Sequence, residues 1–302
     1  MGGNAFPRLD LRRVRRDQVK PSVEFLVDKM AYPGFTLEYA MDSLMGSVGK
    51  QDDSGDLDFV LNNKPARFVG EPELPVFNLR GFARRMREVL PPEQMSTKTL
   101  NGGQFQSAWP VCGDPALGYV QCDFLEGDPE WMKFSHFSPG KDNSPWKGVF
   151  MSTMYGVMAK RLKDFEAFVD NDPEKDRLAR VGWHFDLEKG LHRKWKMQRR
   201  VGQGVSVVDP DEVETRFPDC PRLPRLGYLT NPTVVLSVLF GTHVEHSEVD
   251  TFEKLVQKVK ETFPEDFADL KERFLEALMR SAARNEYTKD QMECALGSVP
   301  SG

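Results

Sequence analysis

Long hydrophobic runs are absent from this chain of 302 residues, and their absence argues against a membrane-spanning protein. The longest apolar run, Val234 to Phe240, contains Ser237 and is far shorter than the roughly 20 residues that a transmembrane helix requires. The arginines between positions 8 and 16 are followed by no apolar stretch, so we expect no signal peptide. With 39% hydrophobic and 29% charged residues, the composition is typical of a soluble globular protein, which we expect in the cytoplasm.

Cysteine is scarce and scattered. The chain has four cysteines with neither CxxC nor Cys/His spacing: Cys112, Cys122, Cys220 and Cys294. This pattern argues against a zinc site and against a disulfide framework. We expect reduced thiols that lie in the core.

Positive charge is limited as well, because the formal net charge is −5. The segment Lys189 to Arg200 is the exception: it carries six Lys/Arg and no acid, so the rest of the chain sums to −11, which is −5 minus +6. In one interpretation this segment forms a hairpin that contacts nucleic-acid phosphates, with Trp195 available for stacking. The side chains of that phosphate-contacting face are His192, Lys194, Lys196 and Gln198. In the other interpretation Trp195 lies in the core and the lysines protect an edge strand from aggregation.

What the sequence does contain is a glycine–serine turn followed by a strand with two aspartates. The turn is Gly46 to Lys50, and Asp56 and Asp58 begin the strand. Because side chains alternate along a strand, both carboxylates share one face while Leu57 and Phe59 point into the core. Adjacent carboxylates suit Mg²⁺, and the free N–H groups of a glycine-rich turn bind phosphate. The turn lacks the glycine spacing and the Ser/Thr of a P-loop, so the pattern predicts a different site for a metal and a nucleoside triphosphate.

A third carboxylate stands on a later predicted strand, Gly118 to Leu125. Asp123 shares a face with Gln121 and Tyr119, whereas the alternate residues Val120, Cys122 and Phe124 face the core. Asp123 is either a third metal ligand or a simple strand-end residue.

The glycine–serine turn, the Asp-x-Asp strand and the later aspartate resemble the signature of the polymerase-β-like nucleotidyltransferase superfamily, over roughly the first half of the chain. The resemblance implies that Asp56, Asp58 and Asp123 hold two Mg²⁺ or Mn²⁺ ions. It also implies that Gly46 and Ser47 bind the triphosphate. A narrower likeness spans most of the chain and points to a group of predicted nucleotidyltransferases from tailed bacteriophages. It rests on the segments Met1 to Pro7, Val120 to Phe124, Asp128 to Ser135 and Trp146 to Val149.

Three lysines are candidates for countering the triphosphate charge. Lys50 ends the turn, and Lys141 and Lys147 lie in the loop-rich stretch after Asp123, which begins at Glu126. Each is also interpretable as a solvated surface lysine. Ser135 and His136 are adjacent, and we do not expect them to form a nucleophile–base pair.

The fold class that we expect is α/β (α+β): a nucleotidyltransferase core with a small mixed β-sheet and flanking helices, then a mostly helical domain with a β-hairpin. Residues 1–170 form the predicted catalytic domain and residues 171–302 the second domain. Apolar periodicity predicts helices from Pro21 to Met30, Asn78 to Leu90 and Met151 to Val169, and further helices that begin at Asp209, Pro232, Phe252 and Phe267. Strands are predicted from Gln104 to Val111 and from Leu117 to Leu125.

The function predicted from these observations is a Mg²⁺-dependent nucleotidyltransferase. It would transfer a nucleoside monophosphate from an NTP such as ATP to a hydroxyl acceptor, preferably the 3′ end of an RNA or another nucleic acid. A protein or small-molecule acceptor is the alternative, and a non-catalytic binding protein on the same fold is a third hypothesis. For a phage-encoded protein, the compartment would be the host cytoplasm.

Overall fold

The structure is a computed structural model that describes residues 5–64, 74–96, 103–140, 143–146, 148–162, 177–198, 205–208, 228–281 and 287–297. For residues 177–181, 195–198 and 205–208 it describes the backbone only.

Short strands and medium-length helices alternate along the first half of the chain. The elements are β1 (Val14–Arg15), α1 (Arg16–Met30), α2 (Leu37–Asp42), β2 (Asp53–Ser54), β3 (Asp56–Asn62), α3 (Leu79–Val89), β4 (Gln104–Pro110), β5 (Tyr119–Gly127), α4 (Pro129–Ser135) and α5 (Gly148–Arg161). The second half continues with β6 (Arg177–Asp186), β7 (Gly190–Gln198), β8 (Val205–Val208), α6 (Pro232–Phe240), α7 (Phe252–Thr262), α8 (Phe267–Arg280) and α9 (Lys289–Gly297). The prediction of a mixed α and β protein with small sheets is confirmed.

A three-stranded mixed sheet organises the first half, with the strand order β3-β5-β4. β3 runs parallel to the central strand β5, and β4 runs antiparallel to it. The segment before β3 adds to this edge, because Met45 N–H donates to Asp58 O at 2.9 Å and Val60 N–H donates to Ser43 O at 3.0 Å. The glycine–serine turn is therefore tied directly to the strand that carries the aspartates.

Aromatic side chains fill the core on one face of this sheet. Phe59, Phe124 and Phe105 stack across the three strands, with ring centroids 5.0 and 4.9 Å apart. Phe82 from α3 packs against Phe124 at 5.3 Å, and Phe35 packs against Phe82 at 4.9 Å. Each aromatic pair adds about 0.5–1.5 kcal/mol beyond the area it buries. Because alternate residues point the other way, this apolar face fixes the aspartates on the opposite face.

The helix predictions hold where the structure describes them. α3 begins after Asn78, whose side chain accepts from Gly81 N–H at 3.0 Å, and α6 begins after Asn231, whose side chain accepts from Val234 N–H at 3.0 Å. The helix start predicted at Asp209 lies outside the described residues.

Three helices were missed. α2 begins after Thr36, whose side chain accepts from Tyr39 N–H at 3.1 Å. α4 lies in the stretch predicted as loop, where the side chain of Asp128 caps it and Pro129 occupies its first turn. α9 follows the last predicted helix.

The chain divides into two compact units. One comprises Met1–Phe150 with Asp250–Lys254, and the other comprises Met151–Val249 with Leu255–Gly302. The predicted domain boundary between residues 170 and 171 falls in a stretch outside the described residues and stays a prediction.

The predicted β-hairpin of the second unit is confirmed. β6 and β7 pair antiparallel, with His184 opposite His192 and Phe185 opposite Leu191, and β8 pairs with the far side of β7. No helix within the described residues is long and apolar enough to cross a membrane.

Candidate metal centre

The three predicted aspartates meet on one face of the β3-β5-β4 sheet. In the parallel ladder Asp58 lies opposite Asp123, and Asp56 lies opposite Gln121. One carboxylate oxygen from each aspartate lies within 4.8 Å of the others. Since carboxylate oxygens are the ligands that Mg²⁺ and Mn²⁺ prefer, this acidic group could hold a metal ion.

Asp123 is the least exposed of the three residues, with 8% of its surface exposed. Its Oδ1 accepts from the Gln121 amide at 2.9 Å, and its Oδ2 accepts from the Gln106 amide at 3.2 Å. Burial raises the pKa of Asp123 to about 6; the hydrogen bonds from the two glutamines oppose this shift, and the charge of Asp56 adds to it. The site therefore holds a carboxylate that titrates close to neutrality.

Asp58 lies between the other two carboxylates and is affected by both. Burial raises the pKa of Asp58 well above its ordinary value, and the charges of Asp56 and Asp123 raise it further. Within the described part of the chain, no residue donates a hydrogen bond to the side chain of Asp56 or Asp58. Their oxygens thus keep free lone pairs, and a cation between them would relieve the repulsion.

The glycine–serine turn lies against this acidic group. Gly46 has φ +65°, and a Cβ built on it would lie 3.6 Å from Asp58 Oδ2. The N–H groups of residues 46–49 donate to no other described residue, whereas the N–H groups of Lys50 and Gln51 both donate to Ser47 O. Consecutive unpaired N–H groups in a turn with positive-φ glycines are suited to binding an anion. The contact of Gly46 and Ser47 with phosphates stays a prediction.

The side chain of Lys50 folds back and hydrogen-bonds to its own turn. Its ammonium donates to Gly46 O at 3.1 Å and to Ser138 O at 3.3 Å, and it lies 4.5 Å from the centre of the Phe137 ring. Although the residue as a whole is exposed, the enclosure of this ammonium lowers its pKa. The predicted contact of Lys50 with a triphosphate stays a prediction, because in this structure its partners are backbone carbonyls.

The remaining candidates follow Asp123 in the sequence and divide into two cases. Lys141 and Lys147 lie outside the described residues. Ser135 and His136 form a hydrogen bond, with Oγ and Nδ1 3.1 Å apart, but a nucleophile–base pair would need further partners. Nδ1 also lies 3.2 Å from Met132 O, and among the described residues His136 contacts no carboxylate that would complete a catalytic triad.

Sequence reasoning missed the glutamines that surround Asp123. Gln106 lies opposite Asp123 in the antiparallel ladder of β4 and β5, and Gln104 lies on the same face at 3.5 Å from Oδ2. Their alternation along β4 was visible in the sequence, but the register that brings them to Asp123 was not.

The basic hairpin is only partly available to a ligand. Lys189 is exposed and Lys194 is half-buried, but the Arg193 guanidinium lies 5.1 Å from the Trp183 ring. The phosphate contact predicted for His192 is wrong, because its ring is buried between those of His184 and Tyr228, at 5.5 and 4.9 Å. The structure does not describe the rest of the basic segment, which includes the side chains of Trp195, Lys196 and Gln198 and the whole of Arg199 and Arg200.

Neither histidine of the hairpin adds to its positive charge. Burial lowers the pKa of His184 to about 4, with Lys194 and His192 lowering it further, and burial also lowers the pKa of His192. The cations of the hairpin are therefore its lysines and arginines.

The comparisons with known proteins give no match, either to a protein-family model or to a curated protein. The geometry of the site and the sequence pattern carry the functional argument.

Proposed function

We propose that this protein is a Mg²⁺-dependent nucleotidyltransferase. The observation that carries the proposal is the juxtaposition of Asp56, Asp58 and Asp123 with the turn at Gly46. A cluster of acidic oxygens beside unpaired backbone N–H groups supplies both parts of a site for a metal–triphosphate complex.

The donor set fits a hard divalent cation. All three groups are carboxylates, and two of them receive no hydrogen bond from a described residue. Burial, together with the charges of Asp56 and Asp123, raises the pKa of Asp58. Bound Mg²⁺ supplies Lewis-acid stabilisation of charge on the transferring phosphoryl group and on the leaving pyrophosphate.

The side chains and backbone groups of the site bind the triphosphate and accept the proton of the attacking hydroxyl. The N–H groups at Gly46 and Ser47, with the Ser47 hydroxyl, hold the β- and γ-phosphates. Asp56 and Asp58 set the position of the triphosphate through the metal site. Asp123 completes the metal site beside the attacking hydroxyl and accepts its proton at a carboxylate oxygen.

A labelling experiment tests the activity. Each NTP, labelled at its α-phosphate, is incubated with RNA, DNA and protein fractions of a cell extract, and we expect label in one fraction only with Mg²⁺ or Mn²⁺ present. Asp58→Asn should abolish the labelling. Asp53→Asn is the matched control, because Asp53 is paired with Arg13 at 2.7 Å and does not belong to the acidic group. Equal labelling by wild type and Asp58→Asn would contradict the proposal.

The acceptor that we propose is a nucleic-acid 3′ hydroxyl, held in part by Lys189 and Lys194 of the hairpin. Lys189→Gln with Lys194→Gln should weaken RNA binding and make its salt dependence shallower by about 0.7 for each single-strand phosphate that the variant no longer neutralises. Lys254→Gln with Lys258→Gln removes the same charge from lysines paired with acids and should leave binding unchanged. If both double variants bind RNA like the wild type, the acceptor is a protein or a small molecule instead.

A further inference from the structure

Asp123 differs from the other two aspartates in being held by amide groups on both of its oxygens. The Gln121 Nε2 donates to Oδ1 at 2.9 Å, and the Gln106 Nε2 donates to Oδ2 at 3.2 Å. Gln104 points an amide at the same Oδ2 from 3.5 Å, which is at the limit of a hydrogen bond. The plane of the Asp123 carboxylate is thereby fixed from two neighbouring positions of the sheet.

The amide of Gln121 is oriented by Asp123 and by no other described group. Gln121 is 2% exposed, and its Oε1 is buried without a hydrogen-bond partner among the described residues. An unpaired buried carbonyl costs about 1–3 kcal/mol, so a glutamine with a purely structural role would be expected to satisfy both ends. Rotating the amide by half a turn would place Oε1 against Asp123 Oδ1, where two acceptors repel each other. In the orientation seen, the Gln121 amide N–H therefore hydrogen-bonds to the Asp123 carboxylate, and the Gln121 carbonyl oxygen is left without a partner among the described residues.

Orientation matters because the final torsion of an aspartate is soft. Carboxylate groups rotate about their last bond through a broad range of angles, and no described residue donates to the side chains of Asp56 and Asp58. A carboxylate has about four lone-pair positions, and the amides of Gln106 and Gln121 occupy two of those on Asp123. At least one of the remaining positions is then held in a fixed direction next to Asp58, its neighbour in the ladder.

We propose that Gln106 and Gln121 are positioning residues that fix Asp123 in the orientation in which it shares a divalent cation with Asp58. The proposal rests on the metal site of the proposed function, and it assigns to the two glutamines a part in metal affinity as well as in turnover. Groups that hydrogen-bond to metal ligands typically account for about 10- to 100-fold in metal affinity.

The test measures Mn²⁺ binding to the intact protein by calorimetry and by the electron paramagnetic resonance spectrum of the bound ion. We expect Gln121→Met and Gln106→Met each to weaken Mn²⁺ binding about 10-fold or more and to change the spectrum of the bound ion, because Asp123 loses its fixed direction. Gln104→Met is the matched control on the same strand face, and at 3.5 Å it should change neither the affinity nor the spectrum appreciably. Thermal unfolding in a chelator shows whether each variant is folded.

The outcomes separate this proposal from the proposed function. One outcome is that Asp58→Asn abolishes Mn²⁺ binding while both methionine variants keep the wild-type affinity and the wild-type spectrum of the bound ion. In that case the glutamines are not positioning residues, but the metal centre is still supported. If the wild type binds no Mn²⁺, or Asp58→Asn binds it equally well, the metal centre is wrong and this proposal is wrong with it. Should Gln121→Met fail to fold, the half-exposed Gln106 carries the test through Gln106→Met.

Discussion

We predict that Asp123 makes the metal-free protein less stable as the pH rises from about 4 to about 7. Burial and the charge of Asp56 raise the pKa of Asp123 from 3.8 to about 6, so the folded protein holds a proton that the unfolded chain has already released. Stability falls wherever the folded state binds more protons than the unfolded state. The contribution is therefore complete below pH 3.8 and is lost as the pH passes through 6.

The magnitude follows from the size of the shift. A difference of about two pKa units corresponds to about 3 kcal/mol, since each unit is worth about 1.36 kcal/mol. That is a sizeable fraction of the about 5–15 kcal/mol by which folded domains are stable. The metal-free site is thus expected to be a measurable local weakness at neutral pH.

Urea unfolding in the presence of a chelator, repeated between about pH 4 and pH 8, measures this effect as a difference between variants. Asp123→Asn removes the titrating group, so its stability relative to the wild type should increase by about 2–3 kcal/mol across this range. The hydrogen bonds that the substitution alters add an offset that does not vary with pH. Added Mn²⁺ should remove most of the pH-dependent loss, because a cation favours the ionised carboxylates.

A difference between Asp123→Asn and the wild type that stays flat over this range would refute the reasoning. So would a wild-type protein that gains stability relative to Asp123→Asn as the pH rises. Either result would mean that Asp123 is ionised in the folded protein well below pH 6, and that the burial seen here does not control its titration.

Three further results are expected. Thermal stabilisation by NTP should require Mg²⁺ or Mn²⁺ and should vanish in the double variant Asp56→Ala/Asp58→Ala. If the double variant is still stabilised by NTP, the two aspartates do not belong to the NTP site. Gly46→Ala and Gly241→Ala should each cost about 1–2 kcal/mol of stability because both glycines have positive φ, but only Gly46→Ala should weaken Mn²⁺ and NTP binding, since Gly46 lies in the turn and its Cβ would lie 3.6 Å from Asp58 Oδ2. Lys50→Met removes the hydrogen bonds from Lys50 to Gly46 O and Ser138 O, so it should lower the NTP affinity measured by calorimetry. Unchanged affinity would mean that Lys50 has no part in NTP binding.

Much of the fold followed from local patterns. The amphipathic spacing around Phe82 predicted α3 within one residue of its observed ends. Asn231 followed by Pro232 predicted the start of α6. The cap of α4 was also present in the sequence, in Asp128 and Pro129, but the many glycines and prolines around it favoured a loop prediction. Capping and amphipathic patterns depend on a few neighbouring residues, so they can be recognised in the sequence before the fold is known.

Part of the candidate site followed in the same way. The period of two along a strand places Asp56 and Asp58 on one face, and it places Asp123 and Gln121 on one face of another strand. The partner strand and the register of that pairing are not local properties. They depend on how Phe59 and Phe124, more than 60 residues apart, stack in the shared core, and a shift by one residue would have turned the carboxylates away from each other.

The available carboxylates, and the face of its own strand that each one occupies, are therefore readable from the sequence, because backbone geometry alone fixes that alternation. Three properties of the site depend on the folded chain: Asp58 and Asp123 are neighbours, Gln106 reaches Asp123 from an antiparallel strand, and burial brings the pKa of Asp123 to about 6. The same holds for His192, which alternation placed outward and which Tyr228, distant along the chain, covers. Burial and strand pairing arise from contacts between segments far apart in sequence, and they decide the electrostatics of the site.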